Sequence, residues 1–443
     1  MSPDPPNIVL IHAHDLGQTL GCYGRAIDTP AIDALATQGA RLTNCTAAAP
    51  QCSPSRASMT TGRYPHNHGL MGLVHRGWEL YPDAPRLPAV LAAAGYQTHL
   101  FGIQHEAPTP EDLGYQSAHA ESRALHTAER FTEQLPEIDG EDPFFASIGF
   151  AEPHLPFRRE YVEDEAYDYY HPENVEVPPY LPDEHGVRRD VAAMQGLITA
   201  TVDPAVGRIV SAIDAAGLTE ETVIIFTTDH GPALPRAKGM CYSAGVDIAC
   251  IARWPGVIEP GRRDALVSNV DLLPTLAEFA NTDLPAPIDG QSFAGILTGD
   301  SYEERDHVFV EITWHDRYNP IRGIRASDFT YLRNFSMLPR VYIPRDIIDQ
   351  PAARPVRGSW YDQERPAEEF YDRRADPHEL ENLAEDRRIR RSVPADWDLD
   401  EPPATLTTEQ VASMHHLRTE LQAWMEQTDD PLLTGPVGIP GSR

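Results

Sequence analysis

The chain has 443 residues, of which 41% are hydrophobic, and its formal net charge at pH 7 is −31. Nucleic acids and anionic membranes bind basic surfaces, so this charge argues against both as partners. No apolar run approaches the roughly 18 residues of a membrane span, and no signal segment is seen, so we expect a cytoplasmic protein. The five cysteines lack the tight spacing of a disulfide framework.

Short apolar runs alternate with helical patterns through the first two thirds of the chain. This alternation predicts an α/β sandwich with a large, mostly parallel central sheet. The predicted strands span residues 7–12, 97–102, 144–149 and 222–228, and the predicted helices span residues 32–39, 86–94 and 191–216. Ligands of such sheets bind beyond the carboxyl ends of the strands. Asp15 and Asp229 each lie just past such an end, so we expect them in one site.

From about residue 307 the pattern changes to short strands that suggest an antiparallel sheet. They span residues 307–313, 321–326, 328–335 and 368–371, and a terminal helix over residues 407–427 begins at a capping box of Thr407 and Gln410. We therefore predict a catalytic domain over residues 1–306, a smaller C-terminal α+β subdomain over residues 307–430, and a tail over residues 431–443.

The segment Cys52-Ser-Pro-Ser-Arg56, followed by Thr61-Gly-Arg63, is the most informative stretch of the chain. A Cys-x-Pro-x-Arg pentapeptide is the mark that formylglycine-generating enzymes read when they oxidise cysteine to an aldehyde. The alternative is a buried thiol that acts only as a small core side chain. The extended match favours conversion of Cys52 to formylglycine and predicts a generating enzyme as maturation partner.

Carboxylate and imidazole groups follow two of the predicted strands. Asp15, Asp229 and His230, with His14 beside Asp15, form a mixed oxygen and nitrogen set that suits a divalent metal. An aspartate after a strand is commonly only a helix cap, so each residue alone would have a structural interpretation. Two such strand ends in one sheet favour the metal.

Cationic and proton-transferring residues complete the candidate set. Arg56 offers a rigid fork of donors for a tetrahedral oxyanion, whereas Lys238 offers a point charge and is the only lysine in the chain. His105 and His154 each follow a predicted strand, and histidine is the usual acid or base near neutrality. The alternatives are a surface lysine that arose by drift and histidines with structural roles.

These motifs resemble those of the type I sulfatases, formylglycine-dependent hydrolases of the alkaline-phosphatase superfamily, over nearly the whole chain. The matching segments are residues 6–10, 15–17, 21–24, 29–33, 52–56, 206–208, 225–231, 271–275, 370–372, 376–379 and 382–384. Within the family the chain looks most similar to heparan N-sulfatases and to bacterial and archaeal sulfatase-like proteins.

The resemblance implies a role for each candidate residue. The implied metal ligands are Asp15, Cys52, Asp229 and His230, to which the position of His14 beside Asp15 adds a fifth. The implied catalytic residues are Cys52, Arg56, His105, His154 and Lys238. In this assignment Arg56 stabilises the formylglycine hydrate and Lys238 binds sulfate. His154 protonates the departing oxygen or nitrogen, and His105 takes a proton from the hydrate.

Two positions depart from the family pattern. The family usually has two aspartates after the first strand, where this chain has His14 and Asp15, and it has a lysine where this chain has Ile103. The resemblance implies Ca²⁺, but an imidazole in place of a hard oxygen shifts the preference toward Mn²⁺ or Zn²⁺. Without a lysine at position 103, the metal, Arg56 and Lys238 carry more of the sulfate charge.

We predict a sulfatase that hydrolyses a sulfate ester or a sulfamate of a small substrate, including an N-sulfoglucosamine-like sugar. One alternative is a phosphodiesterase or phosphonate monoester hydrolase of the same superfamily, and another is a non-catalytic protein that binds sulfated glycans. A cysteine-dependent redox enzyme fits poorly because the sequence offers no paired cysteine. No prediction of the oligomeric state follows from the sequence.

Overall fold

Eight strands of the first part of the chain form one large sheet. A computed structural model describes residues 5–157, 159, 162, 164–285, 287–336, 338–384 and 402–441. The strands of this sheet are β1 (Asn7–Ala13), β2 (Ala40–Thr46), β3 (Gln97–Gly102), β4 (Ser117–His119), β5 (Phe144–Gly149), β6 (Thr222–Thr228), β7 (Cys250–Arg253) and β8 (Gly261–Ser268). Their order across the sheet is β4-β3-β5-β1-β6-β7-β2-β8.

Strand β1 lies at the centre of this sheet, parallel to β5 on one side and to β6 on the other. Its side chains alternate between two cores, with Val9 and Ile11 in one and Ile8 and Leu10 in the other. Only β7 runs antiparallel to its neighbours, β6 and β2. The predicted α/β sandwich with a mostly parallel sheet is therefore confirmed.

Helices cover both faces of the sheet. They are α1 (Pro30–Gln38), α2 (Cys52–Thr61), α3 (Pro65–His68), α4 (Leu87–Ala93), α5 (Ala124–Ile138), α6 (His185–Leu197), α7 (Asp203–Ala215), α8 (Ser243–Val246), α9 (Leu272–Phe279) and α10 (Ala294–Thr298). The helical run His185–Ala215 is long and apolar enough to cross a membrane by length and composition alone. However, 61% of its most apolar window is buried inside the fold, as expected for a core helix.

The structure differs from the predicted elements where local sequence is ambiguous. The helix predicted over residues 191–216 begins earlier, at His185, and a wider turn at Ile198–Val202 separates α6 from α7. Strands β2, β4, β7 and β8 were not predicted from the sequence. Strand β4 has only three residues, and the first half of β8 is polar and largely exposed, so neither carries a strong apolar pattern.

A second sheet follows in the C-terminal part, as predicted. Its strands are β9 (His307–Trp314), β10 (Tyr318–Ala326), β11 (Phe329–Asn334) and β12 (Glu368–Asp372). Helix α11 (Arg354–Tyr361) lies between β11 and β12, and helix α12 (Thr408–Gln427) follows β12. All its pairs are antiparallel, in the order β12-β11-β10-β9. The capping box of Thr407 and Gln410 is formed. The division into residues 1–306, 307–430 and 431–443 stays a prediction, and residues 385–401 and 442–443 lie outside the described part.

A buried ionic network joins the C-terminal sheet to helix α3 and to the segment after α12. His66 of α3 donates from its backbone to Glu311 of β9 at 2.9 Å, and its Nδ1 lies 2.8 Å from the same carboxylate. Arg322 of β10 lies 3.0 Å from Glu311 and pairs through two nitrogens with Asp430, beyond α12. Glu311 and Arg322 are fully buried, so each charge depends on the others for compensation.

We expect Glu311→Gln to lower the free energy of unfolding by about 3 kcal/mol, because Arg322 and His66 lose a buried counter-charge. Urea titration of both proteins measures this difference. Glu303→Gln, at an exposed position near the same boundary, is the control and should change the free energy by less than about 0.5 kcal/mol. Equal effects of the two substitutions would contradict a stabilising role for the network.

Candidate active site

The loops after β1 and β6 meet at the carboxyl edge of the large sheet. The two strands are in register up to Ala13 and Thr228, and the backbone NH of Gly17 donates to the carbonyl of His230 at 2.8 Å. Gly17 leaves no room for a side chain, since a Cβ there would lie 3.0 Å from the Cα of Gly231. This close approach brings Asp15 and Asp229 together, as the sequence predicted.

The carboxylate of Asp229 organises the site. One oxygen accepts hydrogen bonds from the backbone NH groups of Asp15 and His230, each at 2.9 Å. The other accepts from Arg56 Nε at 3.0 Å. Asp15 itself has a left-handed backbone with φ +50°, a conformation that aspartate tolerates better than most residues. Both carboxylates are fully buried.

Helix α2 brings Cys52 and Arg56 to this edge. Cys52 is the first residue of the helix, where the backbone NH groups and the helix dipole favour negative charge. Ser55 donates to the carbonyl of Asp229 and is held by Asn269, whose amide lies 2.9 Å from its hydroxyl. Every residue of the helix is buried, so the cysteine is presented by a rigid support.

A histidine that the sequence analysis did not single out orients Arg56. Burial and the charge of Arg56 hold the pKa of His12 well below its ordinary value, so its ring is neutral. Its Nδ1 accepts from Arg56 at 2.5 Å, while its Nε2 donates to Ser147 at 3.0 Å. The remaining terminal nitrogen of Arg56 is buried without a hydrogen-bond partner among the described residues, which leaves a donor for a ligand.

Four predicted metal ligands converge beside Cys52. His14, Asp15, Asp229 and His230 each present a ligand atom within 4.8 Å of the others, and all are buried. His230 Nε2 lies 3.0 Å from Asp15 Oδ1, but the angle between them is not that of a hydrogen bond. This nitrogen therefore has no hydrogen-bond partner in the described structure. Such an unsatisfied buried nitrogen, among two carboxylates, fits coordination of a cation.

The electrostatics of this cluster also favour a cation. Burial alone would lower the pKa of His14, but Asp229 and Asp15 outweigh it and raise it to about 9. The same carboxylates raise the pKa of His230 to about 10 against the effect of burial. A field that retains protons on two buried imidazoles will also stabilise a divalent ion that displaces them. The donor set therefore fits the metal that the sequence predicted.

Lys238 is buried between carboxylates rather than exposed on a loop. Its Nζ donates to Asp15 and to Asp346 at 2.8 Å each. Burial disfavours the ammonium, but Asp15 and Asp346 raise the pKa of Lys238 well above its ordinary value. The alternative of a surface lysine is therefore wrong. Asp346 was not expected from the sequence, because its loop carries no recognisable motif.

The rings of the two predicted histidines both contact the ring of His14, with centroids 5.2 Å away for His105 and 4.5 Å away for His154. His105 Nδ1 is 3.3 Å from His14 Nε2, and His105 with His14 and Cys52 forms a second group of converging ligand atoms. His154 Nε2 lies 3.3 Å from Lys238 Nζ, while its Nδ1 is 2.6 Å from the carbonyl of Leu155. Burial and the neighbouring Lys238 lower the pKa of His154 to about 4.

The thiol of Cys52 lies at the meeting point of these groups. Burial raises its pKa, but Lys238 and the imidazole of His105 outweigh burial and hold the pKa well below its ordinary value. All nine residues predicted for the site therefore belong to one connected cluster. Their individual roles stay predictions, since proximity alone does not assign them.

Comparison with known proteins relates this cluster to one family. The Sulfatase family model matches residues 6–282, more than half of the chain, and the model described as N-sulphoglucosamine sulphohydrolase, C-terminal, matches residues 237–346. Human N-sulphoglucosamine sulphohydrolase is 26% identical over 98% of this chain and 93% of its own length. Human arylsulfatase A is 30% identical over 73% of this chain and 74% of its own length.

The fold agrees with these matches. A sulfatase structure from a glycosaminoglycan locus of Bacteroides thetaiotaomicron superposes with a TM-score of 0.76 at 21% identity, covering 97% of this chain and 98% of that chain. The C-terminal antiparallel sheet is thus part of a shared architecture. Together the sequence and structural matches extend from the first strand to the last helix.

The metal assignment predicts a measurable loss on substitution of His230. We expect His230→Ala to weaken binding of a divalent cation by more than the roughly 10- to 100-fold that loss of an outer-shell partner costs. Titration calorimetry with Mn²⁺, Zn²⁺ and Ca²⁺ measures the affinities and ranks the three ions. His185→Ala, at an exposed position on α6, is the control. Unchanged affinity in the His230 variant would remove it from the ligand set.

Proposed function

This chain belongs to the sulfatase family of sulfate-ester hydrolases, and we propose that it hydrolyses a sulfate ester or sulfamate of a sugar through formylglycine at position 52. The observation that carries the proposal is the location of Cys52. It begins a fully buried helix inside its modification motif, and its sulfur faces Lys238, His105 and His14. A residue that served only to fill the core would not require this convergence of polar side chains.

Cys52 as formylglycine would supply, in hydrated form, the hydroxyl that attacks sulfur, and a divalent metal would supply Lewis-acid stabilisation of the charge. The residues that would hold the metal are His14, Asp15, Asp229, His230 and the modified Cys52. Two imidazoles among these ligands support Mn²⁺ or Zn²⁺ over the Ca²⁺ that the family implies. Maturation would need a formylglycine-generating enzyme as partner.

The cations of the site would bind the sulfuryl group. One terminal nitrogen of Arg56 has no hydrogen-bond partner among the described residues, while Asp229 and His12 fix the rest of its guanidinium. Lys238 is held rigidly by its carboxylate partners. Preorganised donors of this kind stabilise developing charge without reorganisation. They act at short range, so a net charge of −31 on the whole chain does not prevent binding of an anion.

The histidines would transfer the protons. The Nδ1 of His154 donates to the carbonyl of Leu155, which directs its Nε2 toward Lys238 and Asp15. We assign this Nε2 to the leaving oxygen or nitrogen. Its pKa of about 4 leaves it unprotonated beside Lys238, so it can act as the acid once the negative charge of the bound substrate raises that pKa. His105 lies next to His14 and Cys52, where it would accept a proton from the hydrate. The two histidines thus act on different atoms of one reaction.

The match of residues 237–346 to a C-terminal family named for N-sulphoglucosamine sulphohydrolase supports a sugar N-sulfate as substrate. This segment contains both Lys238 and Asp346, which line the site. Glucosamine N-sulfate and glucose 2-sulfate form a matched substrate pair, because they differ only in the atom that joins the ring to sulfur. Their relative rates decide between S–N and S–O cleavage.

The test of the proposal is an assay of protein in which metal content and conversion of Cys52 have been measured by mass spectrometry. We expect turnover of at least one of these two sugars and loss of all turnover in Cys52→Ala, with an unchanged melting temperature. Cys52→Ser should retain at most slow chemistry that does not regenerate the nucleophile. Wild-type rates in Cys52→Ala would refute the proposal.

Two other outcomes favour the alternatives. Faster hydrolysis of a phosphodiester than of any sulfated sugar would indicate the phosphodiesterase or phosphonate hydrolase activity of the same superfamily. An unmodified Cys52 thiol in protein from the native host, together with binding but no turnover of sulfated sugars, would indicate a glycan-binding protein.

We expect Lys238→Arg to lower kcat/KM by about 100-fold, although the charge is kept. A planar fork cannot place its donors as a compact ammonium does between Asp15 and Asp346. Steady-state kinetics on the better sugar substrate measure the change. Arg208→Lys, at an exposed position on α7, is the reciprocal control and should keep the wild-type rate. A wild-type rate in Lys238→Arg would show that any cation suffices.

A further inference from the structure

The ammonium of Lys238 is held by three groups in a nearly dry environment. The side chain is 1% exposed, and its nitrogen lies 2.8 Å from Asp15, 2.8 Å from Asp346 and 3.3 Å from His154 Nε2. An ammonium has three N–H donors, so these three contacts fix its orientation as well as its position. Asp15 and His154 already have assigned roles, whereas Asp346 has none.

Asp346 differs from Asp15 in the number of cationic groups that contact its carboxylate. Asp15 also contacts His14 and is a candidate metal ligand, so Lys238 is one of several cations around it. Within the described ranges, Lys238 is the only cation that pairs with Asp346. Asp346 is therefore the carboxylate dedicated to the ammonium.

The backbone around Asp346 is anchored firmly enough for this task. Ile343 and Ile347 on either side are 1% and 0% exposed and belong to one apolar cluster. The turn between them is closed by hydrogen bonds from the NH groups of Ile347 and Ile348 to the carbonyl of Pro344, at 3.0 and 2.9 Å. The carboxylate itself remains 28% exposed, so it lies at the mouth of the site while its backbone is fixed.

We propose that Asp346 is a positioning residue that holds the ammonium of Lys238 in place for the substrate anion, an inference that rests on the proposed function. Its carboxylate keeps Lys238 oriented independently of the other demands on Asp15. Asp346 comes from the C-terminal part of the chain, beyond β11, whereas Lys238 follows β6. The C-terminal part of the chain therefore contributes a side chain to the catalytic site.

The single lysine of the chain makes this testable by spectroscopy. Protein labelled only in lysine gives one side-chain ammonium signal, which reports directly on Lys238. We expect a protected signal in the wild type, and a shifted signal with much faster hydrogen exchange in Asp346→Asn. The control is Asp349→Asn, three residues along the same segment, where the carboxylate is 83% exposed and pairs only loosely with Arg357 at 3.5 Å. It should leave the signal unchanged.

Kinetics provide the second measurement. We expect Asp346→Asn to lower kcat/KM for the better sugar substrate by roughly 30-fold or more, the usual effect of removing one partner of a buried charge pair. If Asp346 acts through Lys238, the same change should have little further effect in a Lys238→Met background. The melting temperatures of the variants separate this effect from unfolding.

The outcomes distinguish this inference from the proposed function. An unchanged lysine signal in folded Asp346→Asn would overturn the positioning role, whatever the activity. Equal additional losses in the wild-type and Lys238→Met backgrounds would also overturn it, because Asp346 would then act independently of Lys238. If the wild type hydrolyses no sulfated sugar, the proposed function fails. The lysine signal would then still report whether Asp346 holds Lys238.

Discussion

The carboxylate of Asp229 is the contact on which the site depends. It receives two backbone NH groups from the loops after β1 and β6 and the Nε of Arg56 from α2. Three segments far apart in sequence thus meet on two oxygen atoms. Because the carboxylate is fully buried, it is stable only while these donors are present. The interaction that assembles the candidate metal ligands therefore also fixes the helix that carries Cys52.

The same arrangement explains how a strongly acidic protein can offer a site for an anion. At physiological ionic strength, charges more than about 8 Å apart on the surface are largely screened. Inside the site, Arg56 and Lys238 act at hydrogen-bond distance in a medium of lower polarity, where each charge has a much larger effect. Asp15 and Asp229 hold these cations in place and keep His14 and His230 beside them. The net negative charge of the chain therefore does not determine which ligands this site binds, because the nearby Arg56 and Lys238 dominate the local field.

The sequence predicted elements and residues whose signals are local. Strand β6 is a continuous apolar run followed directly by Asp229, and the modification motif marks Cys52 without reference to the fold. By contrast, His12 occupies the end of an apolar strand, where nothing in the pattern shows that it will face Arg56, 44 residues away. Asp346 is 108 residues from Lys238 and lies in a loop without periodicity. Contacts of this kind form only when segments far apart in sequence pack together, and they have no signature in either segment alone.

The use of one lysine in a chain rich in arginine follows from the same packing. The space for the cation lies between Asp15, Asp346 and His154, which approach from three directions at 2.8, 2.8 and 3.3 Å. An ammonium can direct its donors to three such partners, whereas a guanidinium directs its donors within one plane. One partner comes from the loop after β1, one from the loop after β5, and one from the C-terminal part. The geometry of this cation therefore requires one arrangement of the C-terminal part against the loops of the large sheet. The buried contact of Glu311 with His66 supports that arrangement because it joins the C-terminal sheet to α3.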